Sequence, residues 1–233
     1  MISLGIETST ASGSIALFSD EKILGSCQWS RSGSHSEFIT SSFQDLLRQQ
    51  NLDAKKIQRI GVGIGPGSFT GIRVGINFAR ALAYVLNIKV FNCNSLQLLC
   101  YQPGLLTKKN FRVLVIQYAF RDIVYSCEYE IDQNTVTPTT EVQALAAEKL
   151  SSVITRPILV LGTGYEALKS RLDHSQLALC IRDSSYYDLP RASDFVFSPL
   201  TAASENHLSA WNQTIPLYIR ASEAEEKLRQ RLL

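Results

Sequence analysis

The chain has little histidine and methionine, almost balanced charges and no long apolar run. Its 233 residues include three histidines and one methionine, and the formal net charge is +2. Total charge therefore does not predict nucleic-acid binding. No apolar stretch approaches the roughly 18 residues that cross a bilayer, and MISLGIETST has no basic region before its apolar residues. We expect a cytoplasmic protein without a membrane contact.

Cysteine is present without the pairing or spacing that disulfide frameworks and structural zinc sites require. The five residues are odd in number, scattered, and never arranged as CxxC. We predict reduced and mostly buried thiols. The cysteines are Cys27, Cys93, Cys100, Cys127 and Cys180.

The histidines also lack the spacing of a metal site. Two metal-binding histidines four residues apart share one face of a helix, but Ile39 follows His35 at that distance. His174 and His207 lie far off in the sequence, and neither HExxH nor GxSxG occurs. We predict three surface histidines, no metal, and neither metallopeptidase nor serine-hydrolase chemistry.

Hydrophobic periodicity predicts a regular order of elements in the first half. Short alternating runs predict an antiparallel meander over residues 2–29. A period of 3.6 predicts a helix from Ser36, its cap, to Gln49. The strand IQRIGVGIG, a helix over residues 70–87, the strand KVFNC and a helix from Asn94 follow. The order βββαβαβα predicts an α/β, actin-like fold of the ASKHA and ribonuclease H-like class.

The second half begins with the same kind of pattern after a boundary at YQPGLLTKKN. We predict two domains, residues 1–103 and 104–233, each of the βββαβαβα type, the second smaller and degenerate. FRVLVIQYAF, DIVYSCEYEI and PILVLGTG predict strands, and TEVQALAAEKL predicts a helix. Residues 173–213 are too irregular for a prediction.

The glycine-rich loop GVGIGPGSFTG resembles a phosphate cradle but lacks the required spacing. A P-loop needs a second glycine five residues after the first, followed by lysine. Thr70 stands five residues after Gly65, and no lysine is near. Gly63 and Gly65 begin a GxGxxG fingerprint that Ser68 interrupts. Both nucleotide interpretations therefore fail on spacing.

Small residues recur every four positions in the helix after this loop. A helical glycine costs about 1 kcal/mol relative to alanine, so two of them indicate the close approach of another backbone. That backbone belongs either to the chain's own sheet or to another subunit, and the pattern leaves both open. We call Gly71, Gly75, Ala79 and Ala83 the small-residue ridge.

Several of these segments together resemble a known family. GPGSFTGIRVG (residues 65–75), the opening GIETSTASGSIAL, NSLQLL and the closing IPLYIR are similar to motifs of the bacterial TsaB family, also called YeaZ. The resemblance implies an actin-like fold that has lost ATPase chemistry. It also implies a part in making threonylcarbamoyladenosine in tRNA, with a catalytic TsaD-type paralogue and a TsaE-type ATPase as partners. No cofactor of its own is implied.

The resemblance further implies a partner surface on the second helix and the helix over residues 36–49. The surface serves a homodimer when the chain is alone, or the pair with the TsaD-type protein, and tRNA is reached through the complex. It favours the intersubunit interpretation of the ridge. The implied interface residues are Gly67, Phe69, Gly71, Ile72, Gly75, Ile76, Ala79, Ala83 and Phe38.

Residues that would carry catalysis are scarce. The resemblance to actin-like ATPases assigns an acid to the end of the first strand, here Glu7, followed by Thr8 and Ser9 as possible oxyanion donors. The family's DAR motif in the second domain is replaced by Tyr118, Ala119 and Phe120. Gly162 and Gly164 could be a remnant of an adenosine-binding turn, although a strand-to-helix turn needs glycine anyway.

We therefore expect a non-catalytic subunit. An autonomous actin-fold ATPase or sugar kinase and a metallopeptidase remain as disfavoured alternatives. Arg73 and Arg80 share a helix face, either solvated or engaging a partner's carboxylates or tRNA. A final helix from Ser222 is predicted by its capping box with Glu225.

Overall fold

The computed structural model describes residues 1–30, 35–200 and 207–220. The predicted final helix from Ser222 lies outside these residues. Within the described part of the chain, no helix is long and apolar enough to cross a membrane.

The first sheet has five strands and confirms the predicted meander. β1 (Ile2–Glu7), β2 (Gly13–Ser19) and β3 (Lys22–Trp29) are antiparallel neighbours. β4 (Ile57–Gly63) pairs parallel with β1, and β5 (Val90–Cys93) pairs parallel with β4. The order is β3-β2-β1-β4-β5. Since β1, β4 and β5 are parallel, their carboxyl ends meet at one edge, where binding sites of such sheets lie.

Two long helices cover one face of this sheet. α1 (His35–Gln49) begins one residue before the predicted cap, so Ser36 lies in its first turn. α2 (Phe69–Leu86) is capped by Ser68, whose side chain accepts a hydrogen bond from the Gly71 amide. It ends where Asn87 takes the left-handed conformation at φ 53°. The apolar residues of both helices and β1, β2 and β4 form one core.

The second sheet repeats the strand order of the first in reduced form. The order β11-β10-β6-β7-β8, with β9 also paired to β7, matches the first sheet when β6 stands for β1 and β10 for β4. The last strand has two residues, and the helices that follow β10 have five and six. The copy is smaller and degenerate, as predicted. Its elements are β6 (Phe111–Phe120), β7 (Ile123–Asp132), β8 (Thr135–Pro138), β9 (Gln143–Ala146), β10 (Ile158–Leu161), α5 (Gly164–Leu168), α6 (His174–Leu179) and β11 (Cys180–Ile181).

The segment TEVQALAAEKL is not the predicted helix. Its middle forms β9, which pairs antiparallel with β7, and a 3₁₀ helix follows over Ala147–Ser152. Leu145 and Leu150 are buried in the core of the second sheet. Pairing with a neighbouring strand and burial therefore overrode the local helix propensity of an alanine-rich segment.

Two short helices, α3 (Ser95–Leu98) and α4 (Pro103–Leu106), connect the sheets, and Asn94 caps α3. The predicted boundary at residue 103 thus falls between the sheets. The chain nevertheless returns to the first sheet at its end. The 3₁₀ helix Ala192–Phe197 packs on β1 and β2, and the Leu217 amide donates to the Ile64 carbonyl. Residues 104–233 are therefore not a self-contained packing unit.

Candidate functional site

The small-residue ridge of α2 is buried against the chain's own first strand. A Cβ on Gly71 would lie 2.2 Å from the Thr8 carbonyl oxygen, and one on Gly75 would lie 2.3 Å from Thr8 Oγ1. Thr8 Oγ1 also donates to the Gly71 carbonyl at 2.8 Å. Such distances leave no room for a side chain. The prediction that the ridge is open to a partner is wrong, and the alternative that it packs on the chain's own sheet is confirmed.

Only part of the implied interface is accessible. Phe69 and Phe38 are half-buried, and so is Gly67, where a Cβ would lie 2.0 Å from the Ser9 carbonyl oxygen. These three residues stay predicted contacts. The other six are buried within the chain, because they form the side of α2 that packs on the sheet: Gly71, Ile72, Gly75, Ile76, Ala79 and Ala83.

A different stripe of α2 is accessible beside α1. Phe78 packs edge-to-face on Phe43 of α1, with ring centroids 5.5 Å apart. Val74, Ala81 and Val85 follow the spacing that puts them on the same side as Phe78. Val85 is 76% exposed. We call Val74, Phe78, Ala81 and Val85 the paired-helix face.

Glu7 is enclosed at the carboxyl end of the first strand. It ends β1 with no exposed surface, and its carboxylate accepts hydrogen bonds from the Ser9 amide at 2.5 Å and Ser95 Oγ at 2.9 Å. Burial raises the pKa of the Glu7 carboxyl, against the lowering effect of these hydrogen bonds. A Cβ on Gly63 would overlap the carboxylate. The carboxylate is thus held by the chain itself, and the possible phosphate remnant at Glu7, Thr8 and Ser9 stays a prediction.

A small cavity of about 230 Å³ lies between the loop after β1, the turn before α2, the end of β6 and the turn after β10. Gln117 Nε2 donates to Thr163 Oγ1 at 2.7 Å and closes one side. Tyr118 lies where the resemblance assigns an aspartate. None of the residues that line the cavity is charged: they are Ser9, Thr10, Ala11, Gly67, Ser68, Gln117, Tyr118, Ala119, Thr163 and Leu189. Ligand pockets usually measure about 300–1,000 Å³, so this space is small for a nucleotide.

The turn at Gly162 and Gly164 has a structural cause. Gly162 has φ +98°, and a Cβ there would lie 2.3 Å from the Ile116 carbonyl oxygen of β6. At Gly164 the same oxygen would be 2.7 Å away. The Gly162 amide donates to Asp188 Oδ1 at 2.7 Å, so its hydrogen bond is made within the chain. The close strand-to-helix turn accounts for both glycines without a bound adenosine.

His35 is not a surface residue. It is buried, Nδ1 accepts from Trp29 Nε1–H at 2.9 Å, and Nε2 lies 2.9 Å from the Thr10 carbonyl, to which it donates. His35 therefore fastens the start of α1 to β3 and to the loop after β1. His174 and His207 are exposed, as predicted. In the described residues, no cluster of histidine, cysteine and acidic side chains could hold a metal ion.

Comparisons with known proteins agree with this architecture. The model of the family described as TsaD, tRNA N6-adenosine threonylcarbamoyltransferase, matches residues 30–228. The tRNA threonylcarbamoyladenosine biosynthesis protein TsaB of Escherichia coli K12 is 28% identical over 231 residues, 97% of each chain. TsaB of Bacillus subtilis 168 is 25% identical over 232 residues, again 97% of each chain. The chain belongs to this family, in its TsaB (YeaZ) group.

The fold of a solved family member is the same. YeaZ from Pseudomonas aeruginosa superposes with a TM-score of 0.76 at 24% identity, covering 93% of this chain and 99% of that one. The predicted TsaB/YeaZ resemblance and the actin-like α/β fold are thereby confirmed.

Local sequence patterns do not indicate several contacts at the site of this TsaB-group chain. Ser95 completes the hydrogen bonding of Glu7 from 88 residues away. Thr8 fills the space next to Gly71 and Gly75 of the small-residue ridge. Trp211 and Tyr218 pack beside α2 although they come from segments to which no element had been assigned. Arg73 and Arg80 of α2, which these rings contact, were the residues in the sequence that could have indicated this surface.

Proposed function

We propose that this chain is a non-catalytic subunit in the formation of N6-threonylcarbamoyladenosine in tRNA. It pairs with a TsaD-type catalytic paralogue and acts with a TsaE-type ATPase, and alone it forms a homodimer. The names of the full-length TsaB relatives support the pathway. The observation that carries the non-catalytic role is the small uncharged cavity lined by Ser9, whose amide donates to the enclosed Glu7 carboxylate.

Nucleotide hydrolysis in actin-like folds needs carboxylates that orient magnesium-bound phosphates. In this chain Glu7 is engaged by Ser9 and Ser95, and Tyr118 replaces the acid of the second domain. These contacts argue against an autonomous ATPase or kinase. The described residues contain no cluster of histidine, cysteine and acidic side chains that could hold a metal ion for a metallopeptidase.

The isolated protein is expected to show no magnesium-dependent ATP turnover above a blank. A coupled phosphate-release assay measures it, with the Glu7→Gln variant as a matched control for contaminating ATPase. Turnover in the wild type that Glu7→Gln abolishes would contradict the proposal. Equal trace activity in both proteins would identify a contaminant.

The paired-helix face supports the pairing. Val74, Phe78, Ala81 and Val85 form an uncharged stripe next to α1, and Val85 is mostly exposed. An apolar stripe beside two packed helices gives a second helix pair a surface on which to pack. The paired-helix face is therefore the partner contact in this proposal, in place of the small-residue ridge, which is buried.

Ala81→Glu tests this pairing. The site is exposed in the middle of α2 and glutamate is a good helix former, so we expect the monomer to keep its stability. A charge buried at the contact should weaken homodimer formation and co-purification with the TsaD-type paralogue at least tenfold. Modification of tRNA by the reconstituted system should fall in parallel.

Ala167→Glu is the matched control, since it adds the same charge at an exposed alanine of α5. It should leave both association and modification at wild-type levels. If Ala81→Glu associates like the wild type, the paired-helix face is not the contact. If the wild-type chain is dispensable for modification, the proposed function itself fails.

A further inference from the structure

The flank of α2 that carries Arg73 and Arg80 is lined by the closing segment, residues 207–220. The segment is joined to the first sheet by a bridge between Ser209 and Val90, and its residue Trp211 packs on α2. Several large side chains stay exposed along this flank: Tyr84 (66%), Ile215 (65%), Tyr218 (40%) and Trp211 (37%). We call Phe69, Arg73, Arg80, Tyr84, Trp211 and Tyr218 the α2 flank.

At one end of the α2 flank, an arginine is held against a pair of stacked rings. The Arg73 guanidinium carbon lies 3.9 Å from the centroid of the Phe69 ring. Arg73 Nε donates to the Tyr218 hydroxyl at 2.7 Å. The Phe69 and Tyr218 rings are stacked, with centroids 4.7 Å apart and an interplanar angle of 22°. The cation is thus oriented by its neighbours before any ligand arrives.

At the other end, a second arginine stands beside a second ring pair. The Tyr84 and Trp211 rings are 5.3 Å apart, edge to face, and the Arg80 guanidinium carbon is 5.6 Å from the Trp211 centroid. Arg73 and Arg80 are seven residues apart on α2. At 1.5 Å per residue this places the two clusters about 10 Å apart along the helix, so a few successive nucleotides reach both.

The α2 flank is locally cationic although the whole chain is nearly neutral. The sequence has no aspartate or glutamate between Asp53 and Asp122, while lysines and arginines recur through that stretch. Residues 207–220 have none either. Among the residues that the structure describes, no carboxylate pairs with Arg73 or Arg80.

We propose that the α2 flank binds unpaired nucleotides of RNA. Aromatic rings next to arginines stack on bases of any sequence, and the guanidinium groups neutralise the phosphates between them. A protein partner would have to bring carboxylates to two separated arginines, whereas a nucleic-acid strand supplies a negative charge with every nucleotide. Identifying that RNA as a tRNA loop rests on the proposed function, but binding by the flank does not.

The test is fluorescence anisotropy with a labelled single-stranded RNA of about ten nucleotides and with an anticodon stem-loop, titrated with the full chain. We expect micromolar binding at low salt that weakens as salt rises. Arg73→Ala/Arg80→Ala should bind about tenfold more weakly, with a shallower salt dependence. Tyr84→Ala should lose about fivefold or more, because a stacking contact is removed. Arg73→Lys/Arg80→Lys should keep the salt dependence of the wild type but not its full affinity, because lysine keeps the positive charge but lacks the planar guanidinium group.

The control is Lys109→Ala/Lys149→Ala, which removes two exposed cations elsewhere and should bind RNA like the wild type. Melting curves and co-purification with the TsaD-type paralogue are measured for every variant, and both are expected to be unchanged. Equal losses in control and flank variants, or no loss in the flank variants, would overturn the proposal. Loss of paralogue association with RNA binding intact would instead make the flank a protein contact. If the wild-type chain binds no RNA but tRNA modification still requires the chain, the flank proposal fails and the proposed function stands.

Discussion

Gly75→Leu is expected to destabilise the monomer by about 3 kcal/mol or more, or to prevent folding. Even a Cβ at Gly75 would lie 2.3 Å from Thr8 Oγ1, and leucine adds further carbons to a contact that is already closed. α2 would have to move away from β1. Single domains are stable by only about 5–15 kcal/mol, so the loss is a large share of the total. Denaturant unfolding followed by circular dichroism measures it.

The smaller change Gly75→Ala gives the sharper test, because helix propensity and packing predict opposite signs. Propensity favours alanine by about 1 kcal/mol, whereas the contact with Thr8 predicts a loss. In Thr8→Ala/Gly75→Ala the clashing oxygen is gone and the remaining neighbours lie at 3.5 Å, an ordinary contact. We expect the double variant to be more stable than the two single changes predict by addition.

Asn77→Leu is the control for Gly75→Leu, since it places the same side chain at an exposed position of the same helix that lies outside the paired-helix face. It should change the free energy of unfolding by no more than about 0.5 kcal/mol. A folded, stable Gly75→Leu monomer that only fails to associate would restore the interpretation of the ridge as a partner surface.

The second large effect is a pH dependence that centres on Asp194. This residue is 2% exposed in the 3₁₀ helix that packs on β1 and β2. Burial raises the pKa of the Asp194 carboxyl to about 7, against the lowering by hydrogen bonds from the Tyr187 hydroxyl and the Arg191 amide and by the Arg191 charge. Burial also raises the pKa of the neighbouring Cys93 thiol, so the carboxyl has no buried anion beside it at neutral pH.

Stability should therefore fall as the pH rises from 4 to 7. In that interval the unfolded chain has lost the proton of Asp194 while the folded chain still holds it, so raising the pH favours unfolding. At about 1.4 kcal/mol per pH unit, the contribution reaches up to about 4 kcal/mol. Asp194→Asn imitates the protonated carboxyl and removes this pH-dependent contribution to the free energy of unfolding. Its stability relative to the wild type should increase across the interval, as measured by urea unfolding at each pH.

Asp173→Asn is a contrasting control, because a hydrogen bond from Ser175 lowers the pKa of the exposed Asp173 carboxyl. The sign for that residue is opposite, since it stabilises the fold once ionised. Glu7, which also has a raised pKa, is present in both proteins and cancels from the comparison. Parallel stability curves for the wild type and Asp194→Asn would show that Asp194 does not titrate in this range.

The elements that the sequence predicted correctly are those with a complete local pattern. The alternation over β1 to β3 and the period of 3.6 in α1 and α2 each lie within a few turns of chain. The helix prediction for the alanine-rich segment before Leu150 was wrong, because the pairing of that segment with β7 is a contact between residues that are distant in the sequence. Local propensity has no information about such a neighbour.

The candidate site divides in the same way. Spacing alone excluded a P-loop at Gly65 and a histidine pair at His35, because those sites need fixed local intervals. Spacing could not place Glu7 beneath Ser95, or Trp211 beside Arg80, since each pair is brought together only by the sheet. Neither could it decide which side of a helix faces solvent when both sides are apolar.

The sequence by itself determined that Gly71 and Gly75 mark a close approach, since two helical glycines need a compensating contact. It also determined the family, because each of the family's motifs is a continuous stretch of sequence. Only the tertiary structure decided what approaches. The end of β1 fills the space above both glycines, and the apolar surface left accessible on this helix is at Val74, Ala81 and Val85 instead. The physical reason is that a four-residue repeat fixes one face of a helix, whereas the direction of that face depends on the strands beneath it.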